Sequence, residues 1–264
     1  MTTRTSPGDL TGQDALPFRP RVIAHRGSSG DHPEHTIEAY RQAIADGADG
    51  LECDVRLTAD GHLVCLHDRT VARTSDGHGA VSTLTLAQLR ALDFGSWKTG
   101  RPAAVLELRE LLELVRDAGR PLELFVETKH PNRHGGLVER RLVELLRHHG
   151  LPAPGRPRSV RVMSFSRLAL VRLRRMAPGL PLAFLGNGVP LPHGGRLPAG
   201  AQAAAPSITA VRERPGSVRR LHDAGKEFYV WTVDEISDIE LCIRLGVDAV
   251  ITNRPRLVRE MLDG

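Results

Sequence analysis

Short apolar runs alternate with helix-length amphipathic runs from Arg21 to the C-terminus, and this alternation restricts the fold more than any other feature of the chain. The strand-like runs are Arg21–His25, Gly50–Asp54, Leu122–Thr128, Ser159–Ser164, Leu182–Leu185, Ser207–Ala210, Glu227–Thr232 and Asp248–Thr252. Helical patterns fall near Thr36–Asp46, Leu108–Ala118, Gly136–His149, Arg167–Met176, Gly216–Ala224, Glu235–Leu245 and Pro255–Leu262. Strands separated by helices pair in parallel through right-handed crossovers. Eight such units predict a closed (β/α)8 TIM barrel rather than an open sheet, and 264 residues suit a fold of about 250. The boundaries carry local signals. Asp234 is placed to cap the helix after it, Pro255 suits a first helical turn, and Gly119, Gly150, Gly225 and Gly246 stand where helices should stop.

Two stretches break the rhythm. Leu185–Ser207 is rich in Gly, Pro and Ala and reads as a long loop. After the second barrel strand, an extra strand-like run at His62–Leu66 leads into turn-rich sequence, read as a small insertion spanning about 68–105. Residues 1–20 form a polar tail with Pro7, Gly8, Pro17 and Pro20 and lack the apolar stretch of a secretory signal, so the expected setting is cytoplasmic. Residues 21–264 then form the barrel domain. No run approaches 18 apolar residues, which argues against stable membrane insertion. Cys53, Cys65 and Cys242 have neither disulfide-framework nor zinc spacing. The net charge of +5 admits an anionic partner. Its arginines are scattered along helical segments, however, and aromatics are only 4%, which leaves little to stack on bases, so no nucleic-acid partner is expected. A homodimer is compatible with the sequence but nothing in it requires one.

The residues with chemical potential cluster at expected strand ends, the face where barrels of this type carry their sites. His25 and Arg26 follow the first strand. A histidine exchanges protons near neutral pH and an arginine matches phosphate oxygens, although a hydrogen-bonded turn histidine would look the same. In Leu51-Glu52-Cys53-Asp54-Val55, alternation puts Glu52 and Asp54 on one face. Two adjacent buried carboxylates repel unless a cation lies between them, and oxygen ligands of this kind favour Mg²⁺ or Ca²⁺. His67 ends another apolar run, and Glu127 and Lys129 share a strand face. Trp231 falls near the mouth, where it suits either a pocket wall or the core. This set fits metal-assisted cleavage of a phosphate ester.

The ordered motifs resemble the glycerophosphodiester phosphodiesterase family: His25-Arg26-Gly27, Pro33-Glu34-His35-Thr36, Glu52-Cys53-Asp54-Val55, Thr58-Ala59-Asp60-Gly61, His67-Asp68, Arg73-Thr74, Glu127-Thr128-Lys129, Trp231-Thr232-Val233 and Ile251-Thr252-Asn253-Arg254-Pro255. The resemblance covers about residues 21–260. It implies hydrolysis of a small-molecule glycerophosphodiester to glycerol 3-phosphate and an alcohol. It implies one divalent cation, Mg²⁺ or Ca²⁺, on Glu52, Asp54 and Glu127, and general acid–base roles for His25 and His67. Arg26 and Lys129 are then phosphate contacts and Trp231 the pocket aromatic. Two positions depart from the family pattern: His35 replaces a usual asparagine, and Asn253 stands where aspartate is common. Competing expectations are a phospholipase D- or C-like lipid phosphodiesterase on the same barrel, or a non-catalytic phosphate-binding barrel.

Overall fold

The computed structural model describes residues 19–153, 155, 159–189 and 196–264. The expected tail lies almost wholly outside them, as do residues 190–195 of the stretch read as a long loop.

Eight parallel strands form the barrel: β1 (Arg21–His25), β2 (Gly50–Leu57), β4 (Glu123–Thr128), β5 (Val160–Ser164), β6 (Leu182–Gly186), β7 (Ala203–Pro206), β8 (Glu227–Val230) and β9 (Ala249–Thr252). They neighbour one another in chain order, and pairing of β1 with both β2 and β9 closes the ring. Helices α1 (Ile37–Ala45), α4 (Leu108–Arg116), α5 (Leu137–His148), α6 (Arg167–Met176), α7 (Ile208–Glu213), α8 (Ser217–Asp223), α9 (Ile236–Leu245) and α10 (Pro255–Asp263) follow the barrel strands. Their starts and stops have local causes. The hydroxyls of Thr36, Ser166 and Ser207 accept from the amides of Ala39, Ala169 and Ala210, each satisfying a donor that the helix itself cannot. Gly246 ends α9 at φ +67°, a left-handed conformation that suits glycine.

There are two cores. Inside the barrel, Ile23, Phe125, Met163, Leu185, Tyr229 and Ile251 pack with alanines from β6, β7 and β9. The small side chains make room for Phe125 and Tyr229, whose rings meet edge to face at 5.3 Å. Outside, the other strand face packs against the helices; α5 contributes Val138, Leu142, Val143 and Leu146. Each strand is therefore buried on both faces, as parallel barrel strands must be.

Between β2 and α4 the chain adds β3 (Leu63–Cys65), a 3₁₀ turn at Val81–Thr83, and short helices α2 (Leu86–Arg90) and α3 (Ser96–Thr99). β2 runs three residues beyond the expected Asp54, and β3 pairs antiparallel with that extension. Val64, Leu66, Val71, Val81, Leu86, Leu89, Phe94 and Val105 give this stretch its own apolar cluster.

Three expectations fail. The sixth barrel strand is Ala203–Pro206, inside the stretch read as a loop, while Ser207–Ala210 opens α7. Alanine has low strand propensity, so Ala203–Ala205 carries no signal of its own; pairing with β6 and β8 makes it a strand. Ile208 and Thr209 look strand-like, but the Ser207 cap wins. Asp234 does not cap α9, whose N-cap is Glu235. Its carboxylate instead accepts from the Thr252 hydroxyl (3.0 Å) and the Asn253 amide N–H (2.8 Å).

Candidate active site

Because side chains alternate along a strand, the inward rows can be read from the bottom of the barrel to its mouth. β1 gives Arg21, Ile23, His25; β4 gives Glu123, Phe125, Glu127; the row of β8 is Glu227, Tyr229 and, just past its end, Trp231. In each, an apolar residue separates a polar group below from a polar or aromatic group above. The upper groups surround a pocket of about 170 Å³ lined by His25, Arg26, Glu52, His67, Glu127, Lys129, Met163, Phe165, Leu185, Trp231, Thr232 and Ile251. All eight candidates are thus brought together, seven on the pocket wall and Asp54 behind it.

Glu52, Asp54 and Glu127 are buried, and one oxygen of each lies within 4.8 Å of the others. The register explains this convergence: β2 pairs with β4 so that Asp54 stands beside Glu127. Lys129 Nζ lies 3.1 Å from Asp54 Oδ1 and 2.9 Å from Glu127 Oε1, and Arg26 Nε lies 3.0 Å from Asp54 Oδ2. Asp54 is held well below its usual range, because Lys129, Arg26 and His35 outweigh the burial that would raise it. Glu52 moves the other way, pushed up by burial and by the negative charge of Asp54. Burial and Asp54 likewise push Glu127 up to about 8. Two strained carboxylates and a buried Asp54 Oδ1 without an aligned hydrogen bond are what a divalent cation would relieve. Three oxygens this close can be bridged at cation–oxygen distances of about 2.0–2.6 Å, so the residues fit such an ion.

Arg26 occupies a tight turn at φ +59°, with its amide donating to the Glu52 backbone oxygen (3.0 Å). Gly27 follows at φ +85°, where a Cβ would lie 2.6 Å from the Ala39 carbonyl carbon, so only glycine lets the turn sit against α1. Arg26 Nη1 donates to Glu34 (2.9 Å), which also takes two bonds from Arg73.

The two histidines are held differently. His25 Nδ1 lies 2.7 Å from Asn253 Oδ1, and the Asn253 amide nitrogen donates to Asp234 (2.6 Å). That donation fixes the amide, so its oxygen faces the imidazole. His25 Nδ1 then carries the proton, and Nε2 points to the pocket, 4.0 Å from Glu52 Oε2. Burial, followed by the nearby Arg26 charge, lowers His25 to about 3. His67 comes from outside the barrel ring: β3 folds back along β2, Leu66 N–H donates to the Asp54 carbonyl (3.0 Å), and the next residue overhangs the mouth. Its Nδ1 is 2.6 Å from Asp68, which Arg73 braces (2.6 Å), and its backbone oxygen accepts two bonds from Arg56.

The opposite wall is apolar. Trp231 donates its indole N–H to the Ala205 carbonyl (2.7 Å) and meets Phe165 edge to face at 5.5 Å. His35, the departure from the expected asparagine, is buried, with Nε2 3.0 Å from Asp54 Oδ2 and Nδ1 2.8 Å from Tyr40 Oη.

Sequence reasoning missed Asp234 as the anchor of Asn253, and Met163, Phe165 and Leu185 as lining. Met163 and Phe165 could have been found by extending the period-2 row of β5 past Ser164.

Fold and mouth together define a barrel built to handle phosphate esters at its C-terminal face. The model of the glycerophosphoryl diester phosphodiesterase family matches residues 25–257, and the chain belongs to that family. It is 47% identical over 261 residues to a probable glycerophosphodiester phosphodiesterase of Mycobacterium tuberculosis, covering 95% of each chain. It is 32% identical to a glycerophosphodiester phosphodiesterase of Bacillus subtilis, covering 98% of this chain and 90% of that one. A solved Oleispira antarctica phosphodiesterase, in complex with the product sn-glycerol-3-phosphate, superposes with a TM-score of 0.84 at 28% identity, covering 94% of this chain and 98% of that chain.

Proposed function

We propose that this chain hydrolyses glycerophosphodiesters to glycerol 3-phosphate and an alcohol, using one divalent cation, Mg²⁺ or Ca²⁺, on Glu52, Asp54 and Glu127. The observation that carries the reading is the meeting of those carboxylates with Arg26, Lys129 and two histidines around one pocket. When bound, the cation supplies positive charge to a non-bridging phosphate oxygen. Arg26 and Lys129 neutralise the rest of the phosphoryl charge in a largely buried site, where such stabilisation is strongest. The glyceryl group lies against Trp231 and Phe165.

The hydrogen-bond partners divide the proton work. His25, held by the neutral Asn253 amide, presents an unprotonated Nε2 and takes the proton of the attacking hydroxyl. That hydroxyl belongs either to water or to the substrate's own glycerol. His67, which burial lowers while the Asp68 carboxylate on Nδ1 works against that shift, is assigned to deliver a proton to the leaving alcohol. Three unpaired, buried cysteines suit a reducing cytoplasmic setting. Among the described residues no helix is long and apolar enough to cross a membrane.

The test is release of glycerol 3-phosphate from glycerophosphocholine and from a p-nitrophenyl glycerophosphodiester, with Mg²⁺, with Ca²⁺ and with chelator. Cation-dependent release is expected. His25→Ala should lose about 10²–10⁴-fold on both substrates, whereas His67→Ala should lose that much only on the choline ester, because nitrophenolate leaves without a proton. Equal losses for His67→Ala on both esters would remove the acid role, and full activity in chelator would remove the metal.

A further inference from the structure

Lys129 stands between two cavities. One is the catalytic pocket. The other is a cleft on the β2–β4 side of the mouth, lined by Arg56, Arg69, Arg133, His134, Asn132 and Ser82 among others, and by no carboxylate. Arg69 and Arg133 reach it from facing segments, the stretch after β3 and the connection from β4 to α5, and both are exposed. Arg56 is half-buried and fixed by its two bonds to the His67 carbonyl (2.9 and 2.7 Å). His134 Nε2 is buried there without a partner. Among the described residues none of the three arginines has an ion pair. Arg73, by contrast, which lies on the same connection after β3, is paired with Glu34 and Asp68. Three unpaired guanidinium groups around one opening make a local positive field that an anion would settle. The cleft encloses only about 30 Å³ and opens to solvent, so an anion would sit at its rim.

We propose that this cleft binds a second anionic group on the leaving alcohol, so that the chain prefers glycerophosphodiesters whose alcohol carries a phosphate. The inference rests on the phosphodiesterase reading. With the scissile phosphate beside Lys129, one ester group faces the apolar wall of Met163, Phe165 and Trp231, and the other faces the arginines. An uncharged glyceryl group has nothing to pair with there, and a quaternary ammonium is repelled. A phosphate is the group that gains.

The experiment uses two matched probes: glycerol 3-phosphate esterified to ethylene glycol, and the same diester phosphorylated on the free glycol hydroxyl. The ratio of kcat/KM for the phosphorylated over the plain probe is measured for the wild type and for Arg69→Ala/Arg133→Ala. The wild type should favour the phosphorylated probe by about tenfold or more, and the double variant should bring the ratio close to one. Arg69→Lys/Arg133→Lys should keep most of the preference, and added salt should erode it. A wild-type ratio near one, or equal losses on both probes in the double variant, overturns the inference while leaving the phosphodiesterase reading intact. If the arginines change only inhibition by free inorganic phosphate, the cleft is a phosphate site and not a substrate site, and the inference fails. No release from either probe overturns both readings.

Discussion

The barrel holds a charged cluster at each end, and the two differ in whether their charges close. At the bottom, Arg21 and Arg161 face Glu123 and Glu227: Arg21 reaches Glu123 at 2.5 Å and Glu227 at 3.1 Å, and Arg161 reaches Glu227 at 3.0 Å. Among the described residues two cations meet two anions, and both guanidinium groups lie over the Tyr229 ring, at 5.3 and 5.1 Å. At the mouth, among the described residues, the three carboxylates face Arg26 and Lys129, and burial together with the charge of Asp54 pushes Glu52 and Glu127 up in pKa. The same residue types therefore plug the barrel at one end and leave an opening for a cation and an anionic substrate at the other. At the mouth a divalent cation would relieve the repulsion among Glu52, Asp54 and Glu127, a demand that the bottom cluster does not make.

The sharpest way to break this contrast is to neutralise one carboxylate at each end. Glu52→Gln should cut turnover by about 10³-fold or more, since it removes a proposed cation ligand, while folding stability stays level or rises as repulsion with Asp54 is relieved. Steady-state kinetics paired with urea unfolding reads both. Glu227→Gln should do the reverse. It leaves Arg161, only 3% exposed, without its carboxylate, so stability should fall by about 3 kcal/mol while turnover per folded molecule changes less than twofold. Loss of stability from Glu52→Gln, or loss of turnover from Glu227→Gln in protein shown to be folded, would mean the two clusters are not functionally distinct.

A smaller effect sharpens the same comparison. Mg²⁺ or Ca²⁺ should raise the melting temperature, by the equivalent of about 2.7 kcal/mol at a hundred times the Kd. The shift should vanish in Glu127→Gln and persist in Glu227→Gln. The sign with pH follows from Glu127, whose carboxyl is raised to about 8 without cation. Below that value the proton competes with the ion, so apparent cation affinity should rise from pH 6 to pH 8, and a titration followed by thermal melting would show it. Affinity that is flat over this range would mean that Glu127 is not a ligand.

The two ends also differ in how far they could be read from the chain. Both follow from period-2 alternation. Spacing alone puts Glu52 with Asp54 on one strand face and Glu127 with Lys129 on another, the family resemblance joins the three carboxylates, and the same alternation rule puts Arg21 and Glu123 at the opposite end. Most strand positions were legible because β-branched and large apolar residues fill them. β7 was not, because a narrow barrel interior asks for alanines, and Ala203–Ala205 carry no local preference for a strand. What could not be read is what distant residues do to one another. The bond from His25 to Asn253 spans 228 residues and its anchor at Asp234 depends on the β8–β9 register, so a residue that looked like a helix cap proved to orient a histidine. Phe165, just past β5, reads as an exposed aromatic until Trp231 is placed beside it.

The smallest expected effect concerns the apolar wall, which belongs to neither charged cluster. Trp231 combines a ring that shapes the pocket with an indole N–H fixed on the Ala205 carbonyl. Trp231→Phe keeps an aromatic surface but removes that bond, worth about 1 kcal/mol, or roughly fivefold in an equilibrium. If the wall only positions the glyceryl group, KM should rise by about that factor while kcat holds, because ground state and transition state lose the contact alike. Phe165→Ala should act in the same direction by releasing the edge of the Trp231 ring, and the double variant should lose less than the sum of the two, since the rings hold each other. A fall in kcat with KM unchanged would instead place Trp231 against the reacting phosphate, and the division of the mouth into a charged half that does the chemistry and an apolar half that only binds would have to be abandoned.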